Sequence, residues 1–299
     1  MIRHSVVLLL VLSIAALLTL PDTPIFGQPA KLLLRVGATG TLTGKGDSPE
    51  EEAGVELMRA FLKEETGLNN AVAKEKDWQT LLAMLVKGQV HVVVFQGYEY
   101  AWAQERYPDL KPMALAINHF YYPTAHVLVR RDNAAKDFAG LVGQSVVLPA
   151  VNQEFVRLYI DRHCAAAGKP TESFFSKITV PDNAEDALDE LIEGTAQVAI
   201  VEGVAMEAYR RRKPGRFSQI REVTRSEAFP PMVLAYYGSY LDPATLKSFR
   251  NGLLGAAQKR TGARLLMLSR LSSFENAPTG FDKVLAATRL AYPQENKGK

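Results

Sequence analysis

Two stretches of this chain carry the same pattern: VVVFQGYEYA at 92–101 and AIVEGVAMEA at 199–208 each read as a buried strand, one polar residue, a glycine, and the start of a helix. This repeat constrains the fold more than any single motif, because it puts a polar side chain, Gln96 or Glu202, where a strand ends and a helix begins. The first turn of a helix leaves backbone N–H groups unpaired, and in open α/β sheets ligands bind outside the carboxyl ends of the strands. Two such halves facing each other would enclose a cleft.

The rest of the sequence fits that reading. Leu32 to Val36 is an apolar strand that runs into the polar loop GATGTLTGKGDS. Ser48, Pro49 and Glu51 form a helix start, and Ala53, Leu57, Met58, Phe61 and Leu62 make one apolar stripe before Gly67. A helix capped by Asp77 follows, then strand Val90 to Phe95, helix YEYAWAQERY, and strands Met113 to Ile117 and His126 to Val129, which complete the first half. The second half has strand Ser145 to Leu148, a helix capped by Asn152, strand Ile178 to Val180, a helix begun by an Asp182–Glu185 cap pair, strand Val198 to Val201 and helix VAMEAYRRR. Such alternation implies mainly parallel sheets with helices on both faces. Beyond Arg221 lie strand Met232 to Tyr237 and three helices, and the polar stretches Arg130–Asp132 and Arg225–Glu227 are where the chain is expected to cross between halves.

Ser5 to Leu20 is an uninterrupted apolar run behind Arg3 and ahead of Pro21, Pro24, Gly27 and Pro29. The pattern predicts an exported chain with residues 1–30 as a signal peptide, since the run falls short of the roughly 20 residues of a membrane span. Cys164 is the single cysteine, so no internal disulfide forms, and its helical spacing to Ile160 and Ala167 makes it a small core residue. With 35 basic against 32 acidic side chains, the net charge of +3 is too small to argue for a nucleic-acid partner.

Catalytic and cofactor motifs are wanting. The first loop fails as a P-loop, because Thr39 and Gly46 stand where Gly and Ser or Thr are required. It can still line an anion site with backbone N–H groups and the hydroxyls of Thr39, Thr41 and Thr43. None of the five histidines forms an i, i+4 metal pair, and His119 and His126 read as polar groups at a strand edge. The acidic run Asp186 to Glu193 and the basic run Arg210 to Lys213 suit helix faces and ends. Neither an enzyme nor a cofactor or metal is expected.

In order, LLRVGATGT, DWQTLLAMLVKGQVHVVVFQGYEYAWA, HVLVRRD, FAGLVGQSVVLPA, SFFSKITV, ALDELIEGTAQVAIVEGVAME and PPMVLAYYGSYLD resemble the phosphate/phosphite/phosphonate ABC-transporter substrate-binding family. The resemblance implies a type II periplasmic binding protein: two mixed-sheet α/β lobes with a ligand cleft between them. Residues 31–128 would form the first lobe and 129–226 the second, with 227–299 returning to the first. It also implies a hydroxyl-rich Ser-Thr-Ser-Gly turn for the phosphonate, where this chain has Ala150-Val151-Asn152-Gln153. Asn152 and Gln153 would then be the donors, Glu202 would match a family acid, Tyr98 or Tyr100 a family Tyr, and Tyr122 would lie near another; residues around Asn183 replace a family His. The implied ligand is a small oxyanion or related zwitterion, with its anionic group at Asn152 and its cationic group near Glu202. The implied partner is an ABC transporter permease in the membrane, served by a monomeric periplasmic protein. The alternative is an extracytoplasmic sensor or scaffold of the same fold acting through a protein partner.

Overall fold

The computed structural model describes residues 33–39, 49–75, 77–150 and 154–294. The expected signal peptide, Ser48, Thr41, Asn152 and Gln153 lie outside the described residues. The first sheet is built from β1 (Leu34–Thr39), β2 (Asn70–Glu75), β3 (Val92–Phe95), β4 (Leu110–Ile117), β10 (Met232–Tyr237) and β11 (Ser273–Glu275), in the order β11-β4-β10-β3-β1-β2. The second contains β5 (Ala125–Arg130), β6 (Ser145–Val147), β7 (Lys177–Thr179), β8 (Val198–Glu202) and β9 (Ile220–Arg225), in the order β7-β6-β8-β5-β9.

The helices follow in chain order. They are α1 (Pro49–Thr66), α2 (Trp78–Val86), α3 (Gly97–Arg106), α4 (Glu154–Ala166), α5 (Thr171–Phe174), α6 (Ala184–Glu193), α7 (Gly203–Arg212), α8 (Pro214–Phe217), α9 (Pro243–Leu254), α10 (Arg260–Leu268) and α11 (Phe281–Ala291). Their starts are chemically explicit: Asp77 accepts from the Thr80 N–H at 2.7 Å, and Asp242 from the Thr245 N–H at 2.9 Å. For α6 the expected Asp182–Glu185 pair is displaced by one residue, since Asn183 accepts from the Asp186 N–H. An amide oxygen caps as well as a carboxylate, so composition alone did not separate the neighbours.

Sheet membership corrects one boundary. His126 to Val129 does not complete the first lobe: β5 pairs antiparallel with β8 and β9 in the second sheet. The first crossing between sheets is therefore 118–124, not Arg130–Asp132, which closes a turn inside the second lobe. The second crossing, 226–231, lies where Arg225–Glu227 placed it. Each sheet is consequently mixed, with β5 antiparallel in one and β10, between β3 and β4, antiparallel in the other. β2, β9 and β11 are edge strands that the apolar runs did not reveal.

The C-terminal arm returns to the first lobe. It contributes β10 and β11, and Lys259 on its far side meets the buried Glu65 carboxylate of α1 at 2.6 Å. In the second lobe, Tyr159, Ile160, Cys164 and Phe174 share one core, and burial pushes the Cys164 thiol up, away from a reactive thiolate. The basic and acidic runs meet: Glu185 and Asp189 of α6 pair with Lys213, and Asp189 and Glu193 with Arg216. That pairing neutralises Lys213 and Arg216, two cations that a polyanion would otherwise use.

Candidate functional site

Both repeated corners sit against a crossing. A Cβ on Gly97 would overlap the Pro230 carbonyl oxygen, so the start of α3 packs directly on the 226–231 crossing. A Cβ on Gly203 would lie 2.9 Å from His126 Nε2 and 3.1 Å from Thr124 Oγ1, at the end of the 118–124 crossing. Glycine is required at Gly97, where the obstacle is backbone, while at Gly203 a side chain could enter only by displacing His126 or Thr124.

The second corner opens onto a recess. Ala116 from β4, Asn118, Phe120 and Thr124 from the first crossing, Pro231 from the second, and Glu202 with the α7 N-terminus line it. Glu202 is half-buried, stands opposite Ala125 in the β5–β8 ladder, and ends β8 as the N-cap of α7. The recess thus presents a carboxylate, a hydroxyl, a side-chain amide and a helix N-terminus within one small space.

Thr124 is held from behind. Its hydroxyl lies 2.9 Å from His126 Nε2, and His126 Nδ1 lies 2.5 Å from the Glu222 carboxylate. Glu222 can only accept, so Nδ1 carries the proton and the ring is oriented. His126 is thus a satisfied polar group, though inside the sheet between β8 and β9 rather than at an edge, and also a support for a recess residue. His119 sits apart in the crossing, against Phe120.

The first corner is closed. Gln96 is 3% exposed, and its N–H donates to the Glu99 carboxylate at 2.9 Å. Burial pushes Glu99 up to about 7; the Gln96 N–H opposes this, and the negative charges of Glu154 and Asp77 add to it. Tyr98 is buried in the second lobe's aromatic core, edge-on to Trp102 at 5.1 Å, and desolvation raises its hydroxyl pKa further. Tyr100 is fully buried and donates to the Leu110 carbonyl at 3.2 Å. Tyr122 lies in the first crossing, edge-on to Tyr121 at 4.9 Å.

Of the expected residues, Glu202 lines the recess, while Gln96 and Tyr98 are together at the other corner and do not. Thr39 ends β1. Thr124 and Asn118 were missed, because a crossing placed at Arg130 hides both inside the first lobe. The dipeptide Pro123-Thr124 at the head of an apolar strand is the signal that could have shown the crossing earlier.

Two mixed α/β lobes, joined by two crossings with a polar recess where the crossings meet a helix N-terminus, define a two-lobed binding protein of the type II periplasmic class. Solved structures agree. A Xanthomonas citri protein bound to ATP superposes with a TM-score of 0.61 at 13% identity, covering 87% of this chain and 96% of that one. PhnD1 of Prochlorococcus marinus in complex with methylphosphonate gives 0.58 at 12% identity, covering 86% and 97%. The binding-protein component of a Pseudomonas aeruginosa ABC phosphonate transporter gives 0.56 at 12%, covering 87% and 86%. Among proteins with curated descriptions, none matches the sequence. Residues 45–278 match the family described as ABC transporter, phosphonate, periplasmic substrate-binding protein, and the chain belongs to that family. The family is one of periplasmic substrate-binding proteins of ABC transporters.

Proposed function

We propose that this chain is exported through its N-terminal leader and, as a periplasmic monomer, holds a small oxyanion or related zwitterion between its lobes for delivery to the membrane permease of an ABC uptake system. The observation that carries this reading is the recess where both crossings meet the α7 N-terminus, in a chain of the phosphonate-binding family. Its donors and its carboxylate suit a ligand with both signs of charge: the Thr124 hydroxyl, the Asn118 amide and the N–H groups of α7 beyond Gly203, whose own N–H the Thr124 carbonyl takes at 2.9 Å, face an anionic group, and Glu202 a cationic one. An anion entering a cleft loses hydration, so it needs several preorganised donors. Asn152, Gln153, Thr39 and Thr41 are assigned as further donors, with Tyr122 framing a wall; Gln96 and Tyr98, buried at the closed corner, are left out of the site.

The test is thermal denaturation of the mature protein with methylphosphonate, phosphite, phosphate, sulfonates and amino acids. One class should raise Tm by roughly 5–10 °C at a hundredfold excess over Kd. Glu202→Ala and Asn152→Ala should reduce that rise at least by about half. A flat response to every compound sinks the reading.

A further inference from the structure

A second hollow lies in the first lobe, on the sheet face covered by α1 and α10. The strands supply Val36, Val94 and Leu234, α1 supplies Gly54 and Met58, and α10 supplies Leu265. Its volume is about 360 Å³, within the range of pockets that enclose small molecules, and among the described residues lining it Ser269 is the one polar side chain.

Three observations bear on what this hollow holds. The hollow opens to solvent beside α10, where Leu268 is 50% exposed, so an apolar segment laid in it would take its walls out of water. Gly54 stands inside helix α1 on the hollow's wall, and a Cβ there would meet nothing within 4 Å, so the position leaves room that a larger side chain would take. Finally, the hollow is continuous in its walls with the polar recess: Ala116 and Met232, opposite each other in the β4–β10 ladder, line both.

We infer that the solute is an amphiphile, with an oxyanionic or zwitterionic head beside Thr124 and Glu202 at the mouth of the recess, whose interior of about 20 Å³ admits no more than a water-sized group, and an apolar chain lodged in the first-lobe hollow. The inference rests on the solute-binding reading above and names its substrate class. It separates this chain from a carrier of the smallest phosphonates, because a one-carbon substituent leaves the hollow unfilled.

The experiment is calorimetric titration of the full mature protein with methylphosphonate and n-octylphosphonate as monomers. Each methylene removed from water is worth about fourfold in affinity at best, so the octyl compound should bind at least about tenfold tighter. Gly54→Leu puts a side chain into the hollow and should bring the octyl-to-methyl affinity ratio down to about one. Val72→Phe narrows the same space from β2 and should do likewise, which covers the case of a Gly54→Leu protein that does not fold. Methylphosphonate binding with no gain for the octyl compound overturns the amphiphile inference and leaves solute binding intact. A gain that persists in both filled variants also overturns it, by placing the chain elsewhere. Failure of both compounds to bind overturns the oxyanion reading and this inference together.

Discussion

Glu99 is a carboxylate held where water barely reaches it, 3% exposed, accepting from the Gln96 N–H with Glu154 and Asp77 as its charged surroundings. Desolvation dominates, lifting it from an ordinary 4.5 to about 7. A carboxyl whose folded pKa is raised binds more protons in the folded than in the unfolded chain between those two values, so its ionisation costs stability as pH climbs from 4.5 to 7. Glu99→Gln keeps an acceptor for the Gln96 N–H and removes the charge. It should leave stability near pH 4.5 almost unchanged and raise it by about 1–3 kcal/mol at pH 8. Urea melts of both proteins across that range check the sign; a variant less stable at pH 8 would mean that the ionised carboxylate is favourably held.

The two corners carry the second prediction at the level of elements. Gly97→Ala forces a methyl into the Pro230 backbone, which cannot rotate away, whereas Gly203→Ala meets only the side chains of His126 and Thr124. The first substitution should cost about 2–3 kcal/mol and the second about 1 kcal/mol, read from denaturant midpoints. Equal costs would mean that the two crossings yield alike. These corners were legible in the sequence because a strand, a polar residue, a glycine and a helix start are neighbours in the chain, and the same holds for the Asp77 and Asp242 caps. β5 was misassigned for the opposite reason. Its buried run AHVLVR suits either sheet, and its partners β8 and β9 lie far along the chain. β2 and β9, as edge strands with polar residues at alternate or flanking positions, lacked the apolar run that marked the others. Thr124 followed β5 into the wrong lobe, so the recess was seen in sequence from the Glu202 side only.

Across the whole molecule, the lobes are joined by more than their two crossings. Tyr292, at the end of α11, is 3% exposed. Its carbonyl accepts from the Trp102 indole N–H at 2.8 Å, and its hydroxyl donates to Glu227 at 2.7 Å. Its ring lies 4.7 Å from that of Phe229 and 4.8 Å from the Arg162 guanidinium. Trp102 belongs to α3 of the first lobe, Arg162 to α4 of the second, and Glu227 and Phe229 to the crossing between them. Any rotation of one lobe against the other must carry or break this junction. Burial alone would raise Glu227, but hydrogen bonds from Tyr292 and the backbone, with Arg162 beside it, hold its carboxyl below the ordinary 4.5. A depressed carboxylate contributes stability above its unfolded pKa and loses it as pH falls through the folded value, so the junction should weaken in acid. Tyr292→Phe keeps the ring and removes the hydroxyl bond, at a cost of about 1–2 kcal/mol, and should flatten that acid dependence. Tyr292→Ala removes the buried ring, should cost about 3–4 kcal/mol, and should widen the ligand-free protein's radius of gyration in small-angle scattering. If the alanine variant is destabilised but scatters like the parent, Tyr292 is core packing alone and the crossings by themselves set the angle between the lobes.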